Sequence, residues 1–237
     1  MSSRTERILK VAHERGQRTL SEFDSKRVLA AYGLPISREI LVSSQSEVKN
    51  AAKKIKYPVV LKACSADEAH KTEKGLIAVN LASQAALVQA FKILKKRAGK
   101  SYMGDYLVQE MVSGSREVMI GMHRDPLFGP AVMFGLGGIF TEILQDVTFR
   151  IAPLRKKDAR DMLRSIRGTK ILEKVRGMPA VDRDILCHAL MAVGQIALDH
   201  PDIEEIDINP LIIRGTRPIA VDALIVLSNK ESKRKDP

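Results

Sequence analysis

Apolar and polar positions alternate along this chain in two rhythms, the helical period of about 3.6 and the strand period of two, and the switches between them mark out its elements. Residues 4–16 read as a short basic helix. A second helix is expected to open at Ser21, with Glu22 and Asp24 in the first turn where negative charge is favourable, and to stop at Gly33 and Pro35. A strand at Glu39–Val42, a helix capped by Ser46 and running to Lys56, and a strand at Val59–Ala63 follow in β-α-β order. Ile77–Leu81 reads as a strand and Ser83–Arg97 as a helix that places Leu87, Phe91 and Leu94 on one face and ends at Gly99. From Tyr106 the texture turns to strands, at Tyr106–Met111, Glu117–Met122, Pro130–Phe134 and Thr148–Ala152, and a second lobe is expected to begin there. Helices return at Lys156–Ile166 and Asp182–Asp199, the latter with an apolar stripe that reads as core. Two strands, Glu204–Ile213 and Ile219–Leu227, close the chain around Arg214-Gly-Thr-Arg217.

A chain of 237 residues that is 45% hydrophobic supports one large domain or two lobes. No stretch approaches the roughly 20 apolar residues of a membrane span, and the first residues lack the apolar run of a signal peptide, so a cytoplasmic protein is expected. Cys64 and Cys187 stand far apart, without CxxC spacing or companion histidines, and read as reduced packing residues. The formal charge of +11 invites a nucleic-acid reading, but the basic residues are dispersed and aromatics make up only 4%, which leaves few stacking platforms. Phosphate-rich small ligands suit the charge equally well. There is no GxGxxG after the first strand and no Walker GxxxxGK[ST].

Candidate chemistry concentrates at four places. His70 follows an apolar strand and sits among hydroxyls, lysine and glycine. An imidazole nitrogen can attack phosphorus and later release the phosphoryl group, although a histidine after a strand is also an ordinary polar loop residue. Lys62, near the end of Val59-Val-Leu-Lys, can aim an ammonium at a phosphate or simply snorkel out of the strand. In Leu107-Val-Gln-Glu-Met-Val112, main-chain groups around Glu110 and Val112 can bond an adenine edge while Met111 adds apolar contact, the alternative for Met111 being core. Glu117 can reach a ribose, a metal or a neighbouring base, and Gly135-Leu-Gly-Gly138 with Thr141 and Glu142 can cradle an anion.

The closing hairpin carries the fourth. Strand alternation puts Ile206 and Ile208 on one face and Glu205, Asp207 and Asn209 on the other. If Gly215-Thr216 form a two-residue II′ turn, Arg214 pairs with Arg217, and five steps along each strand bring Asn209 opposite Asp222, with Cβ atoms about 4.5–5.5 Å apart. An amide oxygen and a carboxylate there suit a magnesium ion that keeps water and shares phosphate oxygens; the alternative is a solvated edge ladder. Pro210 and Pro218 can accompany a bulge.

Leu20-Ser-Glu-Phe-Asp…Tyr-Gly-Leu-Pro35, Pro58-Val-Val-Leu-Lys62, His70-Lys-Thr72, Val108-Gln-Glu-Met-Val112, Ile206-Asp-Ile-Asn-Pro-Leu211 and Ala220-Val-Asp-Ala223 together resemble the ATP-grasp β subunit of ADP-forming acyl-CoA synthetases, best of all acetate–CoA ligase. The resemblance covers about Leu20 to Leu227. It implies an α/β (α+β), two-lobed ATP-grasp fold, with an N-terminal lobe at 1–105 carrying a phosphohistidine loop and a C-terminal lobe at 106–237 carrying the nucleotide and magnesium site. It further implies ATP/ADP as substrate, Mg2+ as cofactor, and a CoA-binding α subunit as partner in an α2β2 assembly. By the same resemblance His70 relays the phosphoryl group to ADP, Lys62 contacts phosphate, Glu110, Met111 and Val112 hold adenine, Glu117 is the acidic nucleotide-site residue, and Asn209 and Asp222 hold magnesium. The chain departs from the family after the histidine segment, where Glu73-Lys-Gly75-Leu76 replaces the usual Asp, any residue, Gly-Gly. A succinate–CoA-type or one-step ATP-grasp ligase, and a non-enzymatic nucleotide-sensing or nucleic-acid-binding module, are the alternatives.

Overall fold

A computed structural model describes residues 3–66, 75–137 and 146–228. The chain divides into two compact units that interleave in sequence: Ser21–Phe23 with Ser37–Val112, and Met1–Leu20, Asp24–Ile36 and Ser113–Pro237.

The smaller unit is a four-stranded antiparallel sheet in the order β1 (Glu39–Val42), β4 (Asp105–Glu110), β2 (Val59–Cys64), β3 (Ile77–Leu81). Helices α3 (Gln45–Ile55) and α4 (Gln84–Ala98) cover one face. Val48, Ala52, Leu87, Phe91 and Leu94 meet Val59, Leu61 and Val108 in its core, so the predicted stripe of α4 is the buried one. Because β4 runs antiparallel between β1 and β2, those two strands are parallel to each other, as the β-α-β order requires. The strand near Tyr106 therefore does not open a second lobe. Its partners are 40 and more residues upstream, a pairing that a change of texture along the chain does not register. The cap of α3 is Ser44 rather than Ser46: its Oγ accepts the Glu47 N–H, while the Glu47 carboxylate accepts from Ser43 N–H. The signature of that arrangement, Ser44-x-x-Glu47, was present in the sequence.

The larger unit carries a six-stranded sheet, with β10 (Leu224–Leu227), β8 (Ile203–Arg214), β5 (Glu117–Asp125), β6 (Gly129–Leu136) and β7 (Val147–Ile151) in that order and β9 (Arg217–Ala220) also on β8. Helices α5 (Lys156–Ser165) and α6 (Arg183–Asp199) pack on it, and Leu186, Leu190, Val193 and Ile196 of α6 are fully buried. The first two helices, α1 (Ser3–Glu14) and α2 (Glu22–Ala31), contribute Leu9, Val28 and Leu29 to this same core. The chain before Ser37 is tied to this unit by main-chain bonds as well: Leu20 N–H to Ile225 O (2.9 Å), Leu227 N–H to Arg18 O (2.7 Å) and Ala220 N–H to Pro35 O (2.9 Å). A division at 105/106 therefore does not describe the two compact units. Gly33 (φ +83°) closes α2, with Leu34 N–H reaching back to Leu29 O (3.2 Å), the left-handed ending that glycine makes inexpensive. Cys64 and Cys187 are both buried and are not bonded to each other.

Arg116 holds the start of β5 in place. Its guanidinium is buried and donates to four carbonyls, those of Ile171 and Glu173 (both 3.2 Å) and of Pro179 and Gly215 (both 2.9 Å), tying a loop and the β8–β9 turn to one side chain. Arg116→Met strands these acceptors in a dry site and is expected to cost about 3–4 kcal/mol. Arg116→Lys should recover only part of this, since an ammonium cannot fork to four carbonyls. Urea denaturation measures it, and a loss under about 1 kcal/mol would remove Arg116 from this role.

Candidate functional site

Strand β2 of the smaller unit lends one face to the core, through Val59, Leu61 and Ala63, and turns Lys62 to the other. Lys62 is buried, and its Nζ lies 2.8 Å from Glu22 Oε1, itself buried. A lysine placed this deep stays charged only beside an acid, and the pairing sets the direction of the ammonium. Glu22, in the sequence merely an acid in the first turn of a helix, is thus part of the arrangement; a contact across 40 residues has no local signal. At the end of β4, Glu110 is also buried, and its carboxylate accepts from Arg38 Nε (3.2 Å), Arg38 Nη2 (3.1 Å) and the Arg38 main chain (2.9 Å). The Glu110 N–H goes to Arg38 O and the Met111 N–H to Pro58 O. Val112, buried just beyond, donates its N–H to no acceptor among the described residues.

In the larger unit, the turn Gly215-Thr216 has φ +65° at Gly215 only, as a II′ turn demands, and Arg214 pairs with Arg217. The ladder continues to Leu211 opposite Ala220, breaks at Val221–Ala223, and resumes with Asp207 opposite Leu224. Both stretches keep one register, and in that register 209 faces 222. The single long strand expected at Ile219–Leu227 is therefore two, interrupted at Asp222. The bulge expected near Pro210 lies against β5, whose pairing shifts between Val118 and Ile120 as it passes Asn209 and Pro210. Ile206 and Ile208 are buried; Glu205 and Asn209 are exposed and Asp207 is half-buried.

Asp207 shows the electrostatics of this face. Burial first, then the charges of Glu205 and Asp222, push its pKa up to about 6. Carboxylates close together on a sheet face are a donor set suited to a divalent cation. Among the described residues no three His, Cys, Asp or Glu side chains converge as a cage. Because the folded state holds the Asp207 proton more tightly than the unfolded chain, this group contributes stability below about pH 4 that is lost as pH rises through about 6. Asp207→Asn is expected to gain about 3–6 °C in Tm over wild type between pH 4 and pH 7, measured without divalent cation. A difference in Tm that does not change with pH would show that Asp207 titrates normally.

Glu117, at the start of β5, is half-exposed, and its carbonyl accepts the Gly137 N–H (2.9 Å). A Cβ on Gly137 would lie 2.9 Å from the Glu117 carbonyl carbon, so this glycine is demanded by close backbone approach. Leu76, the departure from the family pattern, is buried in the smaller unit's core, and its carbonyl accepts from Ala63 N–H. His70 lies outside the described residues, as do Gly138, Thr141 and Glu142.

A family model described as an ATP-grasp domain matches residues 11–227. The chain belongs to the ATP-grasp family. It is 40% identical over 215 residues to the acetate–CoA ligase [ADP-forming] I subunit beta of Pyrococcus furiosus, an alignment that covers 89% of this chain and 92% of that one. An acetate–CoA ligase [ADP-forming] I of Archaeoglobus fulgidus is 36% identical over 96% of this chain, which spans only 33% of that longer protein. Among solved structures, an acetyl-coenzyme A synthetase 1 of Ca. Korarchaeum cryptofilum, in complex with coenzyme A and Ca-AMPCP, superposes with a TM-score of 0.90 at 37% identity, covering 94% of this chain and 100% of that one. A further structure of that protein, with coenzyme A and Mg-AMPPCP, is described as having its phosphohistidine segment pointing towards the nucleotide binding site; its TM-score is 0.84 at 36% identity. This ATP-grasp chain thus has the mixed α/β architecture expected of it. No described helix is long and apolar enough to cross a membrane.

Proposed function

We propose that this chain is the nucleotide-binding β subunit of an ADP-forming acyl-CoA synthetase, with acetyl-CoA as its acyl donor. The observation that carries the reading is 40% identity along 92% of a β subunit of that activity. The longer relative, three times the span of this chain, supports a partner that supplies the rest of the chemistry. That partner is a CoA-binding α subunit, in an α2β2 assembly working in the cytoplasm.

The reaction divides between the two. On the partner, phosphate displaces CoA from the acyl group to give an acyl phosphate. His70 then attacks the phosphorus: an N–P bond forms, the acyl P–O bond breaks and the free acid leaves. In the second transfer an oxygen of the ADP β-phosphate attacks phosphohistidine, the N–P bond breaks and ATP forms. Each displacement passes one phosphoryl group, so no external reductant or oxidant enters.

In this reading the main chain from Glu110 to Val112 meets the adenine edge, with the Val112 N–H as donor, Met111 as apolar contact and the Arg38–Glu110 pair fixing the end of the strand. Lys62, aimed by Glu22, meets phosphate as a point charge. Glu117 reaches the ribose. Asn209 and Asp222 hold the magnesium ion, which when bound neutralises charge on the phosphates.

Incubation with a CoA-binding α subunit tests the reading. The chain alone should bind ADP and make no ATP from acetyl-CoA and phosphate, and addition of the α subunit should restore ATP formation. Turnover by the isolated chain, or none with any α subunit, would refute it. A succinate–CoA-type ligase predicts instead that succinyl-CoA outcompetes acetyl-CoA in the same assay.

A further inference from the structure

Two adjoining hollows of about 480 and 550 Å3 lie on the helical side of the smaller unit and share Ser43, Lys95 and Lys96. Lys92 lines the first, and Lys100 and Tyr102 line the second. Among the described residues, none of the four lysines makes an ion pair or hydrogen bond. Other surface cations do find acids here: Lys10 pairs with Glu14 one turn on, and Lys156 and Arg160 converge on Asp184.

The cluster is unneutralised by composition as well as by geometry. Helix α4 reads Gln-Ala-Ala-Leu-Val-Gln-Ala-Phe-Lys-Ile-Leu-Lys-Lys-Arg-Ala and holds no acid, so no carboxylate stands three or four residues before any of its lysines. Lys92 and Lys96 stand at i, i+4, where like charges destabilise a helix. The dipole of α4 favours cations in its last turn, which accounts for Lys95 and Lys96. It does not account for Lys92, a turn earlier, or for Lys100, beyond the helix end. Arg97, on the same turn, is turned away to the Gly75 carbonyl (3.0 Å).

The other walls suit a ligand of opposite charge. Ser43 and Ser44 introduce the N-terminus of α3, the positive end of its dipole, where the Glu47 carboxylate takes Ser43 N–H and Oγ (2.8 and 3.0 Å). Beneath lie three rings in contact, Phe91 with Tyr106 at 4.9 Å and Tyr102 with Tyr106 at 5.6 Å, and the Tyr102 hydroxyl is fixed by a bond to Asp105 O (2.7 Å). The floor is therefore set before any ligand arrives.

We propose that this groove is an anion site that takes a chain of three or more phosphate groups across Lys92, Lys95, Lys96 and Lys100. The residues are separate from Lys62, Glu110 and Asp222, and the inference does not rest on the function proposed above. Calorimetry of the full chain, with excess ADP present to occupy a nucleotide site elsewhere, uses inorganic tripolyphosphate as the probe at about 50 mM salt, where screening is weak. One equivalent should bind, and Lys95→Glu/Lys96→Glu should weaken it about tenfold or more, with Lys95→Gln as the milder variant. Lys53→Glu/Lys54→Glu, the same charge change on the last turn of α3, should leave it unaltered. A second equivalent of ATP, lost in the α4 variant, would identify the phosphate chain as a nucleotide's; tripolyphosphate alone would identify a free polyphosphate. No tripolyphosphate binding by the wild-type chain, or equal weakening by both double variants, would overturn the site.

Discussion

His70→Ala is expected to abolish ATP formation by the assembled enzyme, by about 10^4-fold or more, while ADP and ATP still bind within about threefold of wild type. The argument is one of chemistry and distance. In the proposed reaction the acyl phosphate forms where CoA is bound, on the partner, whereas the proposed adenine and phosphate contacts belong to this chain. A phosphoryl group must then be carried, and the carrier must be nucleophilic when free and a good leaving group when loaded. Imidazole is both near neutral pH. Lys71 and Thr72 follow it in the sequence with a charge and a hydroxyl suited to a phosphate. The decisive measurement is labelling by ATP carrying a labelled γ-phosphate: the wild-type chain should take up label that is lost in acid and kept in base, and the variant should take up none. Equal labelling of both proteins would move the covalent chemistry to another residue.

Asp222→Asn is expected to weaken magnesium-dependent ADP binding on the order of 10–100-fold, the range that loss of even an outer partner of a metal site produces. Asp222 interrupts the edge of β8 in the register that places it opposite Asn209, and its charge is one of those that raise the pKa of Asp207. Removing the Asp222 charge relieves Asp207, so the apo variant should fold at least as well as wild type. The loss should therefore appear in calorimetry with magnesium and be far smaller with ADP alone. Unchanged affinity for magnesium–ADP in a folded variant would remove Asp222 from the metal. His70→Ala and Asp222→Asn also separate two failures: the first stops transfer and spares binding, the second impairs binding itself.

Much of this protein could be read before any coordinates. Strands β1 and β3 begin and end where periodicity places them, and α4 and α6 bury the stripes their spacing defines, because a helix or strand face is a local property of side-chain spacing. Counting back from Gly215-Thr216 brings Asn209 opposite Asp222, because a two-residue turn admits one register and the ladder on both sides of the interruption keeps it. The family itself was legible for a related reason: short motifs, each weak, recur in order along one chain.

What tertiary structure alone decided is everything that depends on residues far apart in sequence. The strand near Tyr106 lies in the middle of the smaller unit's sheet, and α1 with most of α2 joins the core of the larger unit, because sheet order and core membership follow from pairings across tens of residues. Lys62 acquired Glu22, Glu110 acquired Arg38, and four carbonyls converged on Arg116 in the same way. The proton affinity of Asp207 was beyond any pattern reading. Strand alternation names its face, but a pKa is a difference in free energy set by burial and by neighbouring charge, and both exist only once the chain has folded.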